Sequence, residues 1–129
     1  MQVGDTFEYT KTVTDADIRA FAELSGDHNP LHLDDEFAAT TRFGRRIAHG
    51  MIGAAYISAA LAKNAPGTVY LSQTLQFTAP VFPGDTLTVR VTVTRLREDK
   101  PVATLETVCR KQDGTTVITG EAVGLLSAV

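Results

Sequence analysis

Hydrophobic spacing divides the chain near residue 66. Before that point apolar residues recur at helical intervals, with Ile18, Phe21, Ala22 and Leu24 forming a first stripe. Thr14 precedes the stripe and supplies an oxygen for the free helix amides, while Asp15 and Asp17 suit the positive helix end. Gly26 is a natural stop. Asp34 or Asp35 can cap a second short helix over Glu36 to Arg42. The third segment, His49 to about Lys63, has no polar face: Met51, Ile52, Ala54, Ala55, Tyr56, Ile57, Ala59, Ala60 and Leu61 occupy all sides. Such a helix is expected to be surrounded by protein. Its small residues, Gly53, Ala54, Ala55, Ser58, Ala59 and Ala60, allow a sheet to approach closely, and Asn64, Pro66 and Gly67 end it.

After that point the period falls to two. Leu71, Gln73, Leu75, Phe77 and Ala79 alternate with Ser72, Thr74, Gln76 and Thr78, and Leu87, Val89, Val91 and Val93 alternate with Thr88, Arg90, Thr92 and Thr94. Both runs predict half-buried strands. Turns fall at Pro83-Gly84-Asp85, Glu98-Asp99-Lys100-Pro101 and Gln112-Asp113-Gly114. Further strands near Val102–Arg110 and Thr116–Leu126 complete an antiparallel meander, and an early strand lies near Thr6–Lys11. The expectation is an α+β fold: one domain over 1–129, with a curved antiparallel sheet of about five strands wrapped around the long buried helix.

Composition narrows the function classes. With 129 residues the chain holds one domain with a real core, and its 43% apolar and 21% charged content is that of a folded protein. A formal charge of −3 argues against general affinity for nucleic acid or anionic membranes. The single cysteine, Cys109, cannot form an intrachain disulfide and reads as a small apolar strand residue in a reducing compartment rather than a nucleophile. The polar N-terminus, with Asp5 and Glu8, predicts no signal peptide. The uncharged run from Ile47 to Ala62 is shorter than the about 20 residues of a membrane span. Cytoplasmic location is the resulting expectation.

The candidate chemistry lies in Ser25-Gly26-Asp27-His28-Asn29-Pro30-Leu31-His32-Leu33-Asp34 and Ala48-His49-Gly50-Met51, which hold all 3 histidines. Asp27 and His32 would diverge on a continuous helix. Gly26 favours termination, however, and Pro30 biases Asn29 toward extended geometry, so the turn can bring both side chains to one point. A helix C-terminus before Asp27, together with burial, disfavours its ionised form and suits proton transfer near neutral pH. The plain alternative is that both are turn and capping residues. Gly50 opens the apolar helix, where free amides suit a developing oxyanion and the missing side chain admits a carbonyl; it can equally serve packing alone. Ser58, two turns on, can satisfy itself on the helix backbone. His28 and His32, with Asp27, Asp34 and His49 nearby, have spacing compatible with a metal set, but Pro30 spoils the helix needed to aim both histidines at one ion. Arg42, Arg45 and Arg46 read as a solvated face, or as contacts to the phosphates of a long carrier.

These segments resemble the signature of the MaoC-like, (R)-specific enoyl-CoA hydratases of the hotdog superfamily. The similarity runs from Phe21 through Asp34 and continues in Phe37-Ala38-Ala39-Thr40-Thr41, Ile47-Ala48-His49-Gly50-Met51 and Pro80-Val81-Phe82-Pro83-Gly84-Asp85. It extends through Leu96-Arg97-Glu98-Asp99-Lys100-Pro101 to Gly120-Glu121-Ala122. The resemblance implies a hotdog fold with Ala16 to Arg46 overhanging an acyl site, and a homodimer whose sheets join edge to edge. It implies catalysis by Asp27 and His32, a thioester oxygen held by the Gly50 amide, and support from Asn29, Ser58 and His49, the last at the helix entrance. His28 receives no role. Ala55, Tyr56, Leu61 and Val123 are the expected acyl pocket.

The implied reaction is reversible syn addition of water to a trans-2-enoyl-CoA, giving an (R)-3-hydroxyacyl-CoA. No metal or redox cofactor is expected, since coenzyme A is part of the substrate. The resemblance accommodates both polyester-precursor supply and fatty-acid oxidation. Two rivals stand beside it. One is a related dehydratase acting on an acyl-carrier protein or on branched or dicarboxylic acyl-CoA. The other is a non-catalytic acyl-CoA-binding module, which should have lost Asp27 or His32.

Overall fold

Six strands form one antiparallel sheet in the computed structural model, which describes residues 1–126. The strands are β1 (Thr6–Thr12), β2 (Val69–Gln73), β3 (Gln76–Phe77), β4 (Thr86–Leu96), β5 (Val102–Lys111) and β6 (Thr116–Leu125). Their order is β1-β4-β5-β6-β2, with β3 also pairing β6. The helices are α1 (Asp15–Ser25), α2 (Pro30–Leu33), α3 (Asp35–Ala39) and α4 (Gly50–Asn64). α4 packs on β1, β4 and β5, and its buried Ile52, Tyr56, Ile57, Ala60 and Leu61 meet Leu87, Val89, Val91 and Leu105 from the sheet. The period-two burial of β4 and β5 follows from one face carrying this core. At Gly53 the approach is closest: a Cβ there would stand 2.5 Å from Ile118 Cδ1.

The overhang is built from local signals. Thr14 caps α1 in a full capping box with Asp17, and Gly26 ends it at φ 79°, in the left-handed region that favours glycine. Asp34 Oδ1 accepts from the amides of Glu36 and Phe37 and so starts α3, which stops at Ala39, short of the expected Arg42. Arg46 ties the overhang together. Its guanidinium donates to Asp15 (2.6 Å) and Asp35 (2.7 Å) and to the His32 carbonyl (3.2 Å), and it holds the Asp15 carboxyl below its usual range.

Two departures from the sequence pattern matter. The run Leu71 to Ala79 is a broken strand, not a continuous one: Leu71 is an extra residue between the Tyr70–Gly124 and Ser72–Val123 pairs, and after Gln73–Ala122 the pairing lapses until Gln76. Leu71 and Phe77 therefore lie outside, 56% and 52% exposed. Nor is α4 surrounded in the single chain, since Met51, Ala55, Ser58 and Ala62 form an exposed stripe along it. Among the described residues no helix is long and apolar enough to cross a membrane. Cys109 is fully buried, which pushes its thiol up to about 12 and leaves it inert as a nucleophile.

Candidate active site

The turn after Gly26 is held by its own side chains. Ser25 Oγ accepts from the Asp27 amide (3.1 Å), and Asp27 Oδ1 accepts from the Asn29 amide (3.2 Å). Asn29 caps the next helix, its Oδ1 accepting from the Leu31 amide (3.0 Å), and Pro30 takes the first helical position where no amide hydrogen is needed. One turn of helix then swings His32 back toward Asp27. This short α2 is absent from the sequence expectation, yet it is what aims the imidazole. Asp27, His32 and His49 each place one ligand atom within 4.8 Å of the others. Asp27 itself is exposed rather than buried as expected.

The two buried histidines have opposite tautomers. His32 Nδ1 lies 2.7 Å from the Ile47 carbonyl, which only accepts, so Nδ1 carries the hydrogen and Nε2 keeps a bare lone pair. Burial, reinforced by the nearby His49, moves His32 below its ordinary value of 6.5 despite the Ile47 bond and Asp27, which act the other way. His49 Nε2 lies 3.0 Å from the Asp27 carbonyl, so in His49 it is Nε2 that carries the hydrogen. The rings stack with centroids 3.9 Å apart, and Phe21 packs on His49 at 4.8 Å. His49 precedes α4 but makes no side-chain cap bond, and its Nδ1 is sealed without a partner. A metal would find two open donors here, His32 Nε2 and the Asp27 carboxylate, too few for the closed tetrahedral set of a structural zinc site. His28 turns away to Glu23 (3.0 Å) and the Gly26 carbonyl (3.2 Å).

Gly50 is the first residue of α4, where amides are free and the helix end is positive. Any Cβ here would come within 2.8 Å of the Phe77 ring. A cavity of about 420 Å³ opens beside it, lined by His32, His49, Gly50, Phe77, Arg42 and Phe43 among others. Beyond Met51 lies an open groove of about 520 Å³, lined by Phe21, Ala55, Ser58, Leu71 and Leu75 among others. Tyr56 and Leu61 depart from the expected acyl pocket: helical periodicity turns them to the sheet, and they line neither space. Val123 is half-buried in β6, opposite Ser72 and Thr104, and lines neither space. Phe77, Phe43 and Phe21 were not among the expected site residues. The signal for Phe77 was its place in the alternating run, read there as ordinary core.

An antiparallel sheet packed on one long helix is the hotdog arrangement, and here Asp27 and His32 meet beside that helix's N-terminus. The chain belongs to the MaoC-like domain family, whose model matches residues 2–116. It is 50% identical to the (R)-specific enoyl-CoA hydratase of Aeromonas caviae over 95% of this chain and 93% of that one. To the (R)-specific enoyl-CoA hydratase of Rhodospirillum rubrum it is 45% identical, over 97% and 88%. Among solved structures, the A. caviae (R)-hydratase involved in PHA biosynthesis superposes with a TM-score of 0.94 over 98% of this chain and 97% of that one, at 50% identity.

Proposed function

We infer that this chain is an (R)-specific enoyl-CoA hydratase that adds water reversibly across the double bond of a trans-2-enoyl-CoA. The observation carrying the mechanism is the His32 tautomer. With Nδ1–H committed to Ile47, Nε2 is left as an acceptor beside Asp27. Asp27 and His32 orient a water and take its proton as the oxygen bonds to C3. The pair returns the proton taken from water to C2 on the same face, giving the (R)-3-hydroxyacyl-CoA. Charge that builds on the thioester oxygen is held by the Gly50 amide and the positive end of α4. No step calls for a metal or redox group.

Asn29 supports this arrangement by starting the turn that carries His32, and Ser58 and Ala55 offer the acyl chain a wall along α4. The groove is open on one side, exposed Met51 and Leu71 border it, and exposed Val69 and Phe77 lie on the neighbouring strands β2 and β3. A second copy of the chain meeting this edge closes the groove, so the working form is a homodimer.

The test is hydration of crotonyl-CoA with chiral analysis of the product. The native protein is expected to form the (R)-alcohol. Asp27→Asn and His32→Gln are each expected to lower kcat by at least about 100-fold, the low end for loss of a general acid or base. Near-normal turnover by either folded variant, or an (S) product, overturns the assignment.

A further inference from the structure

His49 reads at first as a residue of the helix entrance, yet it forms no cap bond to α4. Its one hydrogen bond goes elsewhere. Nε2–H donates to the carbonyl of Asp27, 22 residues away in sequence. Asp27 sits in a turn of exposed residues, just past a left-handed glycine, and its other bonds are local. The His49 bond therefore ties the Asp27 peptide to the start of the core helix. The same ring stacks on His32, whose own orientation is pinned by Ile47, and Phe21 of α1 backs its contact. Asp27 and His32 are the titratable groups facing the ring.

We propose that His49 is the positioning residue of the hydration site, holding the Asp27 carboxylate through its peptide against the His32 ring that Ile47 already pins, so that both address the same water. This rests on the hydratase reading above. It assigns His49 no contact with substrate and no proton transfer. Nδ1 has no partner, so the role depends on the Nε2–H alone. A misplacement of catalytic groups by about 1 Å can cost about 100-fold in rate, so the effect should fall on kcat.

Two substitutions separate the hydrogen bond from the packing. Phenylalanine keeps a ring against His32 and Phe21 but has no donor. Glutamine gives up the ring but can present an amide N–H near the place of Nε2. With crotonyl-CoA, His49→Phe is expected to lower kcat by about 10- to 100-fold with KM changed by less than about threefold. His49→Gln is expected to stay within about fivefold of the native kcat. If phenylalanine serves as well as glutamine, or if the loss falls on KM, the proposal is overturned.

Nitrogen-15 NMR of the native protein near neutral pH gives a reading that needs neither variant nor activity. His49 should show a protonated Nε2 and a bare Nδ1, with His32 showing the reverse. A bare Nε2 on His49 sinks the proposal whatever the kinetics. A native protein with these tautomers but no hydration of crotonyl-CoA instead overturns the functional assignment.

Discussion

His32 is almost closed to solvent and has one nitrogen already committed to a backbone carbonyl, and those two facts set the pH behaviour of the site. The form that accepts a proton from water is neutral, with Nε2 bare. Burial holds the folded ring below the ordinary 6.5 of a histidine, so this neutral form persists into mildly acidic solution. The acid limb of kcat/KM for hydration is expected below 6.5, because that profile reports the free enzyme's essential base. A limb centred above that value would sink the assignment of His32 as base. The same sign governs stability. An unfolded chain protonates this histidine near 6.5 while the folded chain resists until lower pH, so the contribution of His32 is fully present above 6.5 and is lost as pH falls through the folded value. At this scale a turn that can join Asp27 and His32 is legible in sequence, because Gly26 ends the helix before Asp27 and Pro30 lies between the two, while their pairing came from the family resemblance. The His49 bond is not, because its acceptor is a backbone carbonyl and carbonyls carry no residue identity.

The segment between α3 and α4 separates three arginines that look alike in sequence. Arg46 is held by Asp15 and Asp35 and acts as a tie within the overhang. Arg45 lies flat on Phe82, 3.7 Å from the ring centroid. Arg42 is exposed, lines the cavity that reaches His32 and Gly50, and has no carboxylate partner among the described residues. Spacing could not sort them, since what distinguishes them is which distant carboxylates fold against the loop. If the nucleotide end of coenzyme A lies at this mouth, Arg42→Glu should raise KM for crotonyl-CoA by about tenfold, roughly the loss of one charge-assisted contact. KM for crotonyl-pantetheine, which lacks the nucleotide phosphates, should stay unchanged. Equal effects on both substrates, or none on either, would remove Arg42 from carrier recognition. Both ends of α1 and the start of α3 were the most legible, since Thr14, Gly26 and Asp34 act locally, whereas α2 and the early end of α3 were not read from the pattern. The broken strand at Leu71 was not, because a bulge preserves apolar alternation while redirecting what it faces.

Across the whole molecule the two edges of the sheet differ in kind. At β1 the outward positions are Thr6, Glu8, Thr10 and Thr12, a polar edge that discourages further pairing. At the other end, β2 and β3 present Val69, Leu71 and Phe77, which are 45%, 56% and 52% exposed, beside Met51 of α4 at 52%. On the homodimer reading proposed above, the apolar edge is where a second copy would join, and the exposed stripe of α4 lies along that same side. The apparent conflict between a helix apolar all round and a helix with one open face is resolved if the missing cover comes from the partner. Leu71→Arg places a charge where both copies would meet. It is expected to convert the proposed dimer into a folded monomer by sedimentation and to lower kcat/KM by at least about tenfold, because the groove beside Ala55 and Ser58 would stay open to water. Thr10→Arg on the opposite edge should leave both mass and activity unchanged. A fully active monomer of Leu71→Arg would show that the groove works uncovered. A dimer undisturbed by that arginine would place the interface elsewhere.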